Sequence, residues 1–195
     1  MTEKPTFGDM TEALGGVVVV WGMVEDGVRS MIEHTVLAAQ PNPEMRGIVL
    51  AHMDFRSQLA MLKKSLHTFK PNDDWAKELD ALLAEMAGKL HDRRNRYIHD
   101  LWRDDEAGGI VQIERGKGEV KVDGKGSNAR LVWKEPRPAI IDELWDFFER
   151  ISTVYETLLR LQTRYMEWVV EDTKRLQQES KQRRYIELAD LLGKA

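Results

Sequence analysis

A chain of 195 residues is long enough for one ordinary domain with a real hydrophobic core, and 42% hydrophobic with 32% charged residues is a globular composition rather than a disordered one. The formal net charge of -4 argues against a surface coated in basic charge, while leaving room for a local basic patch. There is no cysteine, so disulfides and thiolate metal sites are excluded, which fits a reducing cytosol.

Residues 1–13 are polar and read as a loose tail. From about Gly15 to Ala39, apolar residues fall at Val17, Val20, Trp21, Val24, Val28, Met31 and Ile32, the spacing of a helix. The valine run alone favours a strand, and the length of the pattern decides for the helix. Flanked by glycines, Val17–Trp21 is far too short to span a bilayer, and it lacks the basic flank and cleavage site of a signal peptide. The expectation is a soluble cytosolic protein with no membrane partner.

Pro41-Asn42-Pro43 breaks the chain. A second helix is predicted from about Glu44 to Phe69, with Ile48, Met53, Phe55, Leu59, Leu62 and Leu66 inward. Pro71-Asn72-Asp73 ends it, and Asp73 or Asp74 can cap a third helix carrying Trp75, Leu79, Leu82, Leu83, Met86, Leu90, Tyr97 and Leu101. Gly88 weakens this helix and marks a bend or a close packing contact.

The period then changes to two. Val111 and Ile113, Val120 and Val122, and Leu131 and Trp133 are the apolar members of three short runs. Gly116-Lys117-Gly118 and Asp123-Gly124 separate them as turn signals. From Ala139 to Leu192 there is neither glycine nor proline. Ile140, Ile141, Leu144, Trp145, Phe148, Ile151, Tyr155, Leu158, Leu159, Tyr165, Met166 and Val169 make one long amphipathic stripe there. About 40 straight residues would reach roughly 60 Å, longer than a small domain, so this helix either bends or projects to meet a partner.

The expected fold is mainly α in a single domain, residues 1–195. It is an antiparallel helical bundle of four to five helices. A small three-stranded antiparallel β-meander, about 108–134, is inserted before the long C-terminal helix, and a charged helical extension covers about 171–195.

Leu90, Arg94, Tyr97 and Leu101 share one helix face, so Arg94 sits on a stripe that should be core. A guanidinium there needs a carboxylate or an anionic ligand. Glu25 and Asp26 are the candidate carboxylates, and a phosphate held in bidentate fashion is the alternative. Asn95 and His99, four apart, share a more polar face, and His99 can move protons near neutrality or simply cap helix carbonyls. His91 and His99 lie about 12 Å apart along a helix, too far for one metal ion, so no metal and no cofactor is expected.

Arg94-Asn95-x-x-x-His99 resembles the R-x(4–6)-H motif of the HEPN superfamily. Trp21-Gly22-x-x-Glu25, His52-Met53-x-Phe55 and the run from His99 to Trp102 are similar to bacterial HEPN-type proteins. The resemblance covers about residues 15–102, and 139–170 only as a helical pattern. It implies metal-independent RNA cleavage by a homodimer. Arg94 would neutralise the scissile phosphate, His99 would act as general acid or base, and Asn95 would orient one of them. A ribose 2′-hydroxyl would attack, leaving a cyclic phosphate. On one regular helix Arg94 and His99 point about 140° apart, a conflict resolved if the helix distorts or if two chains bring two motifs together. The resemblance equally implies a non-catalytic alternative, a helical module binding RNA, a nucleotide, an antitoxin or another protein.

Arg93 and Arg96 flank the motif as further phosphate contacts or as solvated charges. Between Arg115 and Lys134, six basic residues, among them Lys117, Lys121 and Lys125, face only Glu119 and Asp123, a local net of +4. Such a hairpin guides RNA or protects a strand edge.

Overall fold

The computed structural model describes residues 6–40, 42–66, 68, 70–104, 110–113, 120–123, 130–133, 137–138 and 141–192, with side chains in the last helix as far as 182 and, in the strands, at Trp102, Arg103, Ile110 and Gln112. The protein is mainly helical. Helix α1 spans Phe7–His34. It begins well inside the expected loose tail, because Thr6 and Asp9 form a reciprocal capping box: the Asp9 N–H donates to Thr6 Oγ1 at 3.2 Å and the Thr6 N–H to Asp9 Oδ2 at 2.8 Å.

The predicted second helix is two. α2 covers Pro43–Ala51 behind an Asn42 cap, and α3 covers Phe55–Ser65 behind Asp54, whose carboxylate accepts from the Ser57 N–H at 2.7 Å. Asp54 competes locally for backbone donors and starts a new helix. The break leaves Ile48 half exposed rather than inward.

The third helix runs as α4, Asp73–Glu85, then a π turn at Met86–Leu90, then α5, His91–His99. The bend expected at Gly88 is this turn, where Gly88 has φ -97° and ψ -119°. Asn72 is the cap of α4, accepting from the Trp75 N–H at 2.8 Å. The last helix, α6, spans Ile141–Leu192, and its 52 residues reach about 78 Å.

The expected three-stranded meander is not what the backbone forms. Strand β2, Ile110–Ile113, pairs antiparallel with β1, Leu101–Asp104, and with the short β5, Arg137–Pro138. β3, Val120–Asp123, pairs only with β4, Arg130–Trp133. The physical reason is local: β1 follows α5 directly and presents its edge to β2 first. Gly116-Lys117-Gly118 and Gly124 of the predicted turns lie outside the described residues, whereas Asp123 is the last residue of β3.

α6 is the spine. Its core line is Leu144, Phe147, Ile151, Val154, Leu158, Leu161 and Tyr165, at alternating spacings of three and four. Trp145, Leu159 and Met166, expected on the same stripe, are left exposed on the adjoining one. α1 runs parallel to α6: Gly16 lies against Phe148, Gly27 against Leu158, and Ser30 accepts from Gln162 at 2.7 Å. That pair departs from the antiparallel arrangement expected. α4 and α5 run antiparallel to α6, with Trp75 at Leu161, Glu85 at Arg150 and Arg93 at Glu143.

α1 continues through its glycines, so the apolar stretch read as Val17–Trp21 is part of a much longer helix. By length and composition the 28-residue helix is long and apolar enough to cross a membrane. A core helix passes the same test, and Val17, Trp21, Val24 and Val28 are buried here.

Two glycines of α1 have opposite environments. A Cβ on Gly27 would meet Leu158 Cδ2 at 2.8 Å, whereas a Cβ on Gly22 would meet nothing within 4 Å. Gly27→Val is expected to cost about 1–3 kcal/mol by overpacking. Gly22→Ala is expected to stabilise by about 0.5–1 kcal/mol through helix propensity and a stiffer unfolded chain. Chemical denaturation of both variants checks the pair, and equal effects of the same sign would contradict the close approach at Gly27.

Candidate phosphate-binding site at the α5 helix

α5 lies between α1 and α6, so consecutive residues face different partners. Arg93 turns to α6: its Nη2 donates to the Glu143 carbonyl at 2.8 Å and its Nε to the Tyr97 hydroxyl at 2.9 Å. The guanidinium also lies over the Tyr97 and Phe147 rings. Arg93 thus ties α5 to α6 through two of its five N–H donors, the Nε–H and one on Nη2. Arg96 lies on the exposed face.

Arg94 turns to α1. Its guanidinium carbon sits 5.9 Å from the Trp21 ring centroid, within cation–π range. Nη1 donates to Asn95 Oδ1 at 3.0 Å, while Nε is enclosed and has no hydrogen-bond partner. Neither expected carboxylate reaches it. Glu25 receives the Trp21 indole N–H at 2.6 Å, and Asp26 pairs with Arg29 at 3.5 Å. Among the described residues, Arg94 is a partly buried cation whose one polar partner is a neutral amide. A guanidinium has five donors and no acceptor, so most of its capacity is left for an anion.

Asn95 does not turn toward His99. Its Nδ2 is 3.2 Å from His91 Nδ1. His91 stacks on Phe55, with centroids 6.1 Å apart and planes 14° apart, and lies 6.2 Å from the Trp21 ring. Its neighbour Asp92 bonds Arg56 of α3 at 2.7 Å. Burial lowers the basicity of His91 most, and the Arg56 and Arg94 charges add to the effect against Asp92.

His99 is the last residue of α5 and is exposed, without a hydrogen bond or ion pair to any described residue. The helix end beneath it is firmly held. The Asp100 N–H closes on the Arg96 carbonyl at 2.8 Å, and the Trp102 indole N–H caps the Tyr97 carbonyl at 2.9 Å. The Gln112 amide, on β2, donates to Asp100 Oδ2 at 2.6 Å, both side chains being buried. The pinned helix end presents an imidazole to solvent.

The structure therefore brings together Arg94 and Asn95, adds His91, Arg56 and Asp92, and leaves His99 on a different face of the same helix. The signal for His91 was its spacing of four from Asn95, which places both on one face. Arg56 could not be found that way, being 38 positions upstream of Arg94. Lys117 and Lys125 of the expected RNA-guiding hairpin lie outside the described residues. Lys121 falls in β3, but its side chain is not among those described. Among the described residues, no three His, Asp or Glu side chains gather as metal ligands. Compared with protein-family models, with curated proteins and with solved structures, the chain matches none.

Proposed function

We propose that the protein is a metal-independent endoribonuclease of HEPN type, acting as a cytosolic homodimer and fitting the role of a toxin or defence effector. The observation that carries this reading is Arg94, a partly enclosed guanidinium with no carboxylate partner among the described residues, five residues before an exposed histidine. Arg94 holds the scissile phosphate and stabilises the charge that grows on it. Asn95 fixes the guanidinium through its amide oxygen. His99 takes the proton of the ribose 2′-hydroxyl as that oxygen attacks phosphorus, or delivers a proton to the departing 5′-oxygen. The exposed setting of His99 suits a group that meets its phosphate across a two-fold axis.

The test is cleavage of mixed RNA in EDTA by the wild type, Arg94→Ala and His99→Ala. Wild-type cleavage is expected, falling by about 10²–10⁴-fold in either variant. An inert wild type overturns the reading.

A second reading, a non-catalytic helical module, has its own observation. Leu159, Met166 and Val170 line up exposed along α6. A protein partner such as an antitoxin would cover apolar surface of that kind.

A further inference from the structure

The hydrogen bonds at the start of α5 can be assigned in only one order. Arg94 is a donor only, so the atom of Asn95 that meets it at 3.0 Å is the amide oxygen. The amide NH₂ is thereby forced toward His91, 3.2 Å away. His91 Nδ1 must then accept, and the ring is neutral with its proton on Nε2. A protonated His91 has no acceptor left for Asn95. Its Nδ1–H has another destination, since Asp92 Oδ1 is 3.8 Å from the same nitrogen.

We propose, building on the reading of Arg94 as the phosphate ligand, that His91 is a positioning residue: its unprotonated Nδ1 holds the Asn95 amide, the amide holds the Arg94 guanidinium, and protonation turns Nδ1 to Asp92 and releases Arg94 from its phosphate-binding pose. Every element around the ring contributes to this balance. α3 presents the Phe55 ring, the Arg56 cation and the Asp54 carboxylate. α1 presents the Trp21 indole, with Glu25 on its N–H. α5 itself presents Asp92 and Arg94. Only 18% of the His91 side chain is exposed, so the ring cannot simply swing into water on taking up a proton. Burial and two cations favour the neutral ring, so it is neutral on the alkaline side and the relay is intact there. As pH falls through the lowered histidine value, the relay opens and phosphate binding weakens. General electrostatics runs the other way, because acidification makes the chain more cationic and strengthens nucleic-acid binding. The two effects have opposite signs, which makes the measurement decisive.

The probe is a short fluorescein-labelled single-stranded 2′-deoxyoligonucleotide, which lacks the attacking hydroxyl and is not cleaved. Its anisotropy with the full chain is followed from about pH 7.5 to about pH 4.5, a window that extends well below the ordinary histidine range because the basicity of His91 is lowered. The wild type is expected to lose about tenfold in affinity. His91→Asn places an amide oxygen near the Nδ1 position, so it binds like the wild type at the upper pH and shows no acid step. His91→Phe keeps the stack but offers no acceptor, and binds weakly throughout. In parallel, the Arg94 Nε–H resonance of the free chain is followed by NMR. It is expected to shift with the His91 titration in the wild type and to stop doing so in Asn95→Ala. An Arg94 resonance indifferent to His91, an acid step retained in His91→Asn, or affinity that rises on acidification overturns the relay. A coupled resonance in a chain that binds no probe leaves the relay standing and overturns the phosphate role of Arg94.

Discussion

An equimolar mixture of Arg94→Ala and His99→Ala chains is expected to recover about a quarter of the wild-type ribonuclease activity, although each variant alone has lost it. The expectation follows from geometry. Residues five apart on an α-helix point about 140° apart, and α5 is regular from His91 to His99. Arg94 faces Trp21 of α1, whereas His99 is exposed at the helix end. One chain does not aim both groups at one phosphate. If two chains share each site, a symmetric dimer has two sites, each with the arginine of one chain and the histidine of the other. Random exchange makes half of the dimers mixed, and each mixed dimer keeps one intact site of two. Native mass spectrometry counts the mixed dimers, and cleavage in EDTA reads the activity. Mixed dimers as inert as their parents would falsify the shared site. A chain carrying both substitutions gives the complementary result: its dimers with the wild type contain no complete site, whereas a single-chain site would leave the wild-type half active.

The helical class was legible because periodicity integrates over many residues, and α1, α4 and α6 are long. What could not be read was local or degenerate. Asp54 caps a new helix through one side-chain hydrogen bond, a competition that the apolar pattern across residues 44–69 hides. Thr6 and Asp9 start α1 in a stretch whose polarity reads as tail. On α6, Leu144, Phe147 and Ile151 form one apolar stripe, and Trp145 and Phe148 begin another beside it. Which of them is core depends on where α1 and α4 dock, and that is not written in α6. The strand order likewise depends on β1 following α5 so closely that it takes the partner expected of β3.

At the site, sequence reasoning identified Arg94 as an anomaly, a cation on the inward stripe, because periodicity alone reveals it. It could not tell that Arg93 and Arg94 face different helices. One residue along a helix is a rotation of about 100°, enough to turn Arg93 onto the Glu143 carbonyl and Arg94 onto Trp21. It also paired Asn95 with His99, since residues 91, 95 and 99 share spacings of four. The structure breaks that tie through Phe55, whose ring holds His91 beside Asn95.

The register between α4–α5 and α6 rests mainly on Trp75, and Trp75→Ala is expected to lower stability by about 3–5 kcal/mol. Polar and apolar contacts join these antiparallel helices along their length. Arg160 and Arg164 both bond Glu78, and Arg150 bonds Glu85 at 2.6 Å, but these groups are substantially solvent-exposed, and such pairs contribute about 0–1 kcal/mol each. Arg93 is tied at the far end. Trp75 is different in kind: it is 1% exposed, its ring centroid is 5.7 Å from that of Tyr165, and its indole N–H reaches the Leu161 carbonyl at 2.9 Å. Removing it opens a cavity against α6 that rigid helices cannot close. Trp75→Phe keeps most of the volume and loses the indole hydrogen bond, and the Leu161 carbonyl still lies within the α6 ladder, so the cost is about 1–3 kcal/mol. At roughly 2–4 °C per kcal/mol for a chain of this size, the alanine variant melts about 10 °C lower and the phenylalanine variant only a few degrees lower. Because Trp75 touches none of Arg94, Asn95, His91 or His99, Trp75→Phe is expected to keep its RNA cleavage at 25 °C within about twofold of wild type. A Trp75→Phe chain that stays folded but cleaves a hundredfold more slowly would mean that the α4–α6 register, and not α5 alone, sets the geometry of the site.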